Sequence, residues 1–293
     1  MKSFENKVAA VTGAGSGIGR ALAYRLARQG CHLALADVNS EGLAETAAQA
    51  RKLGVTVSET RVDVADREAV HAWAEQVVTD HGRVNLIFNN AGVAQSGSVE
   101  ANDYADYEWI MNINFWGVVH GTKAFLPHLR ASGEGHVVNV SSIFGVFAQP
   151  GMSAYNATKF AVRGFTEALR QELDIAGKGV SASCVHPGGI KTNIAKTARM
   201  NESMAALTGQ ETEQSREQFD QFLRTTPDKA AQVILRGVLR NNRRILIGAD
   251  AWILDGMQRL MPTFYQRIVV GSMRLAARFA PKKARSAGAP AEQ

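Results

Sequence analysis

The chain predicts an α/β fold: a doubly wound parallel sheet of about seven strands, followed by a C-terminal helical extension. Three observations carry this. Short apolar runs alternate with amphipathic stretches as far as about residue 250, the regularity of right-handed βαβ units. The runs themselves (VAAV, LIF, VVNV) are apolar at successive positions, as in strands covered on both faces. A glycine-rich turn directly follows the first run and opens the first amphipathic stretch. No repeat or low-complexity linker interrupts residues 1–190, so residues 1–250 read as one domain.

In order, Lys7–Thr12 is the first strand, and RALAYRLARQG is the first helix with Gly30 as its stop. HLALAD is the second strand and closes on Asp37. The second helix is capped by Asn39 or Ser40 and ends at Gly54. VTVSETRVD is the third strand, ending on Asp63, and REAVHAWAEQVVTDHG is the third helix. NLIFNNAG is a fourth strand running into a small-residue turn. Tyr104–Arg130 predicts one long helix that Pro127 bends or ends. GHVVNVSS, VSASCVHPGG and RRILIG complete the strands, with a helix over Tyr155–Ile175.

Bulk properties narrow the function. Of 293 residues, 45% are hydrophobic and 20% charged, ordinary for a globular chain with a sizeable core. Cys31 and Cys184 lie in separate apolar runs without ligand-spaced neighbours, so both read as free buried thiols in a reducing compartment. The seven histidines show no ligand spacing, and no metal is expected. There is no leader pattern and no apolar run long enough to span a bilayer; a cytoplasmic protein is the expectation. A pI of 9.4 invites a nucleic-acid reading. Yet from Gly256 onward seven basic residues against Glu292 alone account for the whole net charge of +6. The basicity belongs to a tail, and no nucleic-acid partner is expected.

The turn Thr12-Gly13-Ala14-Gly15-Ser16-Gly17-Ile18-Gly19 lies between a strand and a helix. Its glycines permit a tight turn and close backbone approach, and the helix N-terminus offers free N–H groups to a pyrophosphate. With no G-K-[ST], a triphosphate loop is disfavoured. Asp37 ends the second strand, where a carboxylate accepts both hydroxyls of an adenosine ribose and repels a 2′-phosphate. Ala36, Val38 and Ser16 offer no cation to receive such a phosphate. NAD is therefore the expected cofactor.

Further along, Tyr155 and Lys159 are spaced one helical turn apart on one face, with Ser142 upstream. An ammonium beside a phenol is expected to lower its pKa and fit it for acid–base work. Taken alone the spacing is common. The order of the motifs makes it informative.

That ordered set resembles the short-chain dehydrogenase/reductase family, with its Rossmann core, over about residues 5–250. The resemblance assigns Gly13, Gly15, Ser16, Gly17, Ile18 and Gly19 to the cofactor loop. Asp63 and Val64 match the adenine-contacting pair, and Asn89-Asn90-Ala91-Gly92 the N-N-A-G motif, giving Asn90, Ala91 and Gly92 to the cofactor. Asn114 matches the active-site asparagine. Ser142, thirteen residues before Tyr155, matches the serine better than Ser141 does. Pro187-Gly188-Gly189-Ile190-Lys191-Thr192 resembles the loop at the nicotinamide end, through Pro187, Gly188, Ile190 and Thr192.

The resemblance implies an NAD-dependent alcohol dehydrogenase or carbonyl reductase, as a homodimer or homotetramer. Tyr155 would exchange the proton, and Lys159 would tune it and hold the nicotinamide ribose. Ser142 would bond the carbonyl oxygen, and Asn114 would position a water between Lys159 and solvent. A nucleotide-binding regulator on the same fold would lack the serine, tyrosine or lysine; all three are present. His186 is read as structural. Trp109, Phe115 and Trp116 are read as core or subunit-contact residues, and Lys191 is given no cofactor role.

The expected substrate pocket is Ala94, Gln95, Ile143, Phe144, Gln149 and Met152, with Val93, Val146 and Phe147 nearby. Mostly apolar and without Arg or Lys, it favours a hydrophobic ketone or secondary alcohol of aliphatic, aryl or steroid-like type. Residues 193–228 are expected to form a substrate lid. The extension at 251–280 is amphipathic and basic, so it either lies on an anionic membrane surface, and the substrate is then a lipid-borne alcohol, or packs over the pocket or a sister subunit. Residues 281–293 are expected to be a disordered tail.

Overall fold

The structure, a computed structural model, describes residues 1–194, 197–201, 203 and 223–279. β1 (Val8–Thr12) is buried along its whole length, and α1 (Gly17–Ala27) lays Leu22 and Leu26 on it. β2 (His32–Asp37), α2 (Ser40–Arg51), β3 (Val57–Arg61) and α3 (Arg67–His81) follow. The Asn39 side chain caps α2 by accepting from Gly42 N at 3.2 Å, and Asp66 caps α3 through Ala69 N at 2.9 Å.

β4 (Leu86–Asn89) and the short β5 (Gln95–Ser96) precede α4 (Tyr104–Met111). A π-helical turn, Asn112–Trp116, then joins α4 to α5 (Gly117–Ala131). This differs from the expectation that Pro127 would bend or end one long helix. Pro127 lies inside α5, where the fully buried Phe125 and Leu129 on either side offset its missing N–H. The irregularity sits at the π turn instead, which carries Asn114; such turns recur at functional sites.

β6 (Gly135–Val140) leads through a 3₁₀ turn, Ile143–Gly145, to α6 (Ser153–Ala176) and β7 (Val180–Pro187). β8 (Arg199–Met200), α7 (Pro227–Leu239), β9 (Arg244–Ile247), α8 (Ala249–Leu260) and α9 (Phe264–Phe279) complete the described chain. Most of the expected lid at 193–228, and all of the tail at 281–293, lie outside the described residues.

The main sheet runs β3-β2-β1-β4-β6-β7-β9 and is parallel throughout; β5 and β8 pair separately. One apolar layer, with Leu22, Leu43 and Ile234, lies under α1, α2 and α7. The other, with Trp73, Phe125 and Leu169, lies under α3, α5 and α6. Strand order reverses between β1 and β4, so the crevice at their carboxyl ends is where this architecture binds ligands.

Candidate active site

At that crevice main-chain groups dominate. Thr12 Oγ1 accepts N–H bonds from Asn90 and Ala91, each at 3.0 Å, and Asn90 Nδ2 donates to Thr12 O at 2.9 Å. The turn after β1 is thus tied to the turn after β4. Gly19 has no room for a side chain: a Cβ there would stand 2.1 Å from Gly13 O. Ser16 makes no side-chain cap, and among the described residues the first N–H groups of α1 are left for an anion. Across the gap, Thr192 faces Gly17, where an added Cβ would meet its Cγ2 at 3.2 Å. Ile18 and Gly13 are half-buried on the loop, while Pro187 and Ile190 are buried at the foot of the facing loop. The arrangement fits a dinucleotide pyrophosphate.

Asp37 accepts from Gly15 N at 2.8 Å and Asn39 N at 2.9 Å at the carboxyl end of β2. The structure brings one cation to this corner that the local sequence did not reveal. Arg20 donates to Gly15 O at 2.6 Å and Gly42 O at 3.2 Å, and pairs with Glu45 at 2.7 Å. All three contacts are made by Nη2, and among the described residues its buried Nε has no partner. Nearby, Asp63 is exposed and turns its carboxylate to Ala65 N at 2.9 Å, while Val64 is buried.

On the other side of the cleft the groups are buried side chains. Tyr155 and Lys159 stand one turn apart on α6, 8% and 3% exposed. The Ser142 side chain lies at the phenol, close enough to lower its pKa. Ser142 Oγ also accepts Phe144 N at 3.1 Å, which sets the 3₁₀ turn; Ser141 instead donates to Lys159 O at 2.7 Å. Lys159 Nζ donates to Val140 O at 3.1 Å and lies 5.7 Å from the Tyr155 ring centroid. Asn114 grips Val93 twice, accepting from its N at 2.8 Å and donating to its O at 2.9 Å. This holds Gly92 close: a Cβ there would be 3.2 Å from Asn114 Oδ1 and 3.4 Å from Lys159 Nζ.

Burial, rather than pairing, governs the charges here. It pushes the Lys159 ammonium down to about 8. It also raises the Tyr155 phenol, and the Ser142 side chain only partly opposes this. Burial thus outweighs the lowering of the tyrosine expected from Lys159. Its ammonium is aimed at the Val140 carbonyl, and a phenolate in so apolar a place is costly.

Several supporting contacts are seen only in the structure, among them those of Asn89 from the N-N-A-G motif and of His186, read above as structural. Asn89 Nδ2 donates to Asn139 Oδ1 at 2.8 Å and Thr122 Oγ1 at 3.1 Å, and Asn139 Nδ2 to Thr166 Oγ1 at 3.0 Å. This buried network joins β4, β6, α5 and α6 under the site. His186 Nδ1 lies 3.0 Å from Ser142 O, and burial lowers its pKa to about 4, so the ring donates there as a neutral group. Asp250, in the first turn of α8, accepts Gly189 N at 2.6 Å and so holds the Pro187–Thr192 loop. An acidic residue opening a helix was the only signal, and it reads equally as an ordinary cap.

Of the expected pocket residues, Ala94, Phe144 and Met152 gather around Tyr155, with Val93, Tyr107, Trp109 and Ile110. Phe144 meets the Tyr155 ring edge-on at 6.4 Å between centroids. Ile143 points elsewhere and packs with Leu246 and Ala251 of the C-terminal region. Gln95 is buried, and Gln149 offers its carbonyl to Asn156 Nδ2 at 2.9 Å. One cation stands near: Arg199 stacks on Trp109, 3.6 Å from the ring centroid, and reaches Asp106 at 3.9 Å.

This fold and site define a class, and comparison with known proteins agrees. The family model described as short chain dehydrogenase matches residues 7–203, and the chain belongs to the short-chain dehydrogenase/reductase family of oxidoreductases. It is 50% identical over 274 residues to "Putative oxidoreductase SadH" of Mycobacterium tuberculosis, covering 93% of this chain and 97% of that one. It is 33% identical to "Estradiol 17-beta-dehydrogenase 11" of Rattus norvegicus, covering 89% and 82%. A solved short chain dehydrogenase/reductase from Burkholderia phymatum in complex with NAD matches with TM-score 0.82 at 30% identity, covering 90% and 97%. The nicotinamide cofactor expected from the glycine loop agrees with that structure.

Proposed function

We propose that the protein interconverts a hydrophobic secondary alcohol and its ketone with NAD(H), with Tyr155 as the acid/base. The observation that carries this is the buried Tyr155 one helical turn from Lys159 on α6, with Ser142 at the phenol and Val93, Ala94, Phe144 and Met152 as the wall. The dinucleotide, held by the Thr12–Gly19 turn and the Pro187–Thr192 loop, supplies or accepts the hydride. Everything else falls to the chain. In reduction, Ser142 and Tyr155 donate to the carbonyl oxygen, and the Tyr155 proton passes to it as charge develops there. The raised phenol pKa keeps Tyr155 protonated at neutral pH, in the form that donates. Lys159, with a pKa of about 8, is still charged at pH 7 and steadies the phenolate left behind. To Asn114 we assign the holding of Gly92 and Val93 against Lys159, and with them a water route for re-protonation.

Asp37, which holds Gly15 N and Asn39 N at the carboxyl end of β2, supports NAD over NADP, and Arg20 Nη2 is turned to Gly15 O, Gly42 O and Glu45. The apolar wall supports an aliphatic, aryl or steroid-like substrate, since Arg199 is engaged with Trp109 and Asp106. Exposed Trp116 and Phe160 support a homodimer or homotetramer. A second reading, the same chemistry on a lipid-borne alcohol, is favoured by the exposed apolar residues of α8 and α9. The test is a scan of apolar ketones and alcohols with both cofactor pairs, followed at the nicotinamide absorbance. NADH-linked turnover is expected; a tenfold or larger preference for NADPH overturns the cofactor assignment.

A further inference from the structure

The C-terminal helices present a face that the chemistry above does not use. α8 buries Ala251 and Asp255, and α9 buries Tyr265, with Val269 and Met273 half-buried along the same stripe. Away from those stripes stand Trp252 at 65% exposed, Ile253 at 66%, Leu260 at 83% and Phe264 at 51%, with Ile268 and Leu275 also exposed. Ile253 and Leu260, seven residues apart, share one line on α8; Phe264, Ile268 and Leu275 share one on α9. Arg267 and Arg274 flank the second line and are exposed, while Arg259 beside the first is exposed but paired with Asp255 at 2.8 Å. Neither Asp nor Glu occurs from Gly256 to Ala291, and Lys282, Lys283 and Arg285 follow in the sequence.

We propose that this face of α8 and α9 docks the protein on an anionic lipid surface. Aligned apolar side chains flanked by arginines, with Asp250 at the start of α8 as the exposed acid of the two helices, match the two demands of such a surface, an acyl boundary and a negative headgroup layer. Two contacts tie the docking face to the site. Asp250 of α8 holds Gly189 in the nicotinamide-end loop, and Tyr265 of α9 packs on Phe147, 4.6 Å between centroids, while its hydroxyl accepts Ala148 N at 3.3 Å. The helices that meet lipid thus brace the nicotinamide-end loop and the segment between Ser142 and Tyr155, and an alcohol dissolved in that lipid would reach the site from that side. This names a partner for the site proposed above, but docking itself does not depend on which reaction that site runs.

Sedimentation of the full-length protein with phosphatidylcholine vesicles, with and without phosphatidylglycerol, tests it. Binding is expected on the phosphatidylglycerol vesicles, falling with added salt. The exposed triple variant Ile253→Glu/Leu260→Glu/Phe264→Glu and the double variant Arg267→Glu/Arg274→Glu should each weaken it by roughly tenfold or more. NADH binding, read by nucleotide fluorescence, should stay unchanged in both. Failure of the wild-type chain to sediment, or equal binding by the variants, overturns the proposal. A drop in oligomer mass by light scattering in the triple variant also overturns it, because the face then covers a second copy of the chain. Vesicle binding without any ketone turnover would sink the proposed reaction and leave docking standing.

Discussion

The two sides of the cleft hold their working groups by different physical means. On the phosphate side, the Thr12–Gly19 turn works through main-chain N–H groups and glycines that let the backbone approach closely. On the catalytic side, Ser142, Tyr155 and Lys159 are side chains buried behind β6 and α6, and burial shifts the protonation of Tyr155 and Lys159. A backbone cradle costs little stability, since free helix N–H groups are present at any helix start. A buried ammonium and phenol cost a good deal. The catalytic side therefore trades stability for reactivity, and the phosphate side does not.

The largest expected effect separates the two sides directly. Tyr155→Phe should lower kcat by roughly 10²–10⁴-fold while NADH affinity stays near wild type, measured by steady-state kinetics and nucleotide fluorescence. Survival of kcat would break the comparison, because the phenol would then not be the acid.

Next comes the acid response of the strand that leads to Ser142. Burial holds His136 of β6 neutral, lowering its pKa from 6.5 to about 3. The unfolded chain takes up that proton near pH 6.5 and the folded chain does not, so stability is full above 6.5 and is lost as pH falls toward 3. Between pH 7 and 4 this one group is expected to remove about 3 kcal/mol. His136→Gln should flatten that part of a urea-denaturation pH profile; an unchanged slope would mean the histidine is not the cause.

Lys159→Met should do the opposite of most core substitutions. The folded lysine titrates near 8 against 10.5 for the free group, so at pH 7 the fold carries a charge it would shed more readily than the unfolded chain. Removing it, less the lost bond to Val140 O, should raise stability by about 2 kcal/mol while ending turnover. The gain should shrink as pH rises from about 8 toward 10.5. A lower Tm for the variant at pH 7 would count against the trade.

The smallest effect sharpens the comparison at the point where the sides meet. Asp250→Asn weakens the charge-assisted bond to Gly189 N, and KM for NADH should rise by roughly tenfold with kcat at saturation nearly kept. If kcat fell and KM did not, Asp250 would belong to the catalytic side.

Much of this was legible because it is local. The Thr12–Gly19 turn, the alternating runs and the Tyr155–Lys159 spacing each need only a few consecutive residues and one known period. What was not legible depends on distance through space. Pro127 looked like a helix breaker, but buried Phe125 and Leu129 carry α5 through it. Ile143 looked like pocket lining, yet Ala251, more than a hundred residues later, takes it into a separate cluster.

By itself the sequence determined the parallel doubly wound sheet, the family and the nicotinamide cofactor, since each rests on periodicity and on glycines that only one backbone path requires. Only the tertiary structure decided the charge state of Tyr155 and Lys159, the use of Arg20, and the anchoring of the nicotinamide-end loop by Asp250. The reason is physical: a pKa follows from how much water and which dipoles surround a group, and those neighbours are drawn from the whole chain.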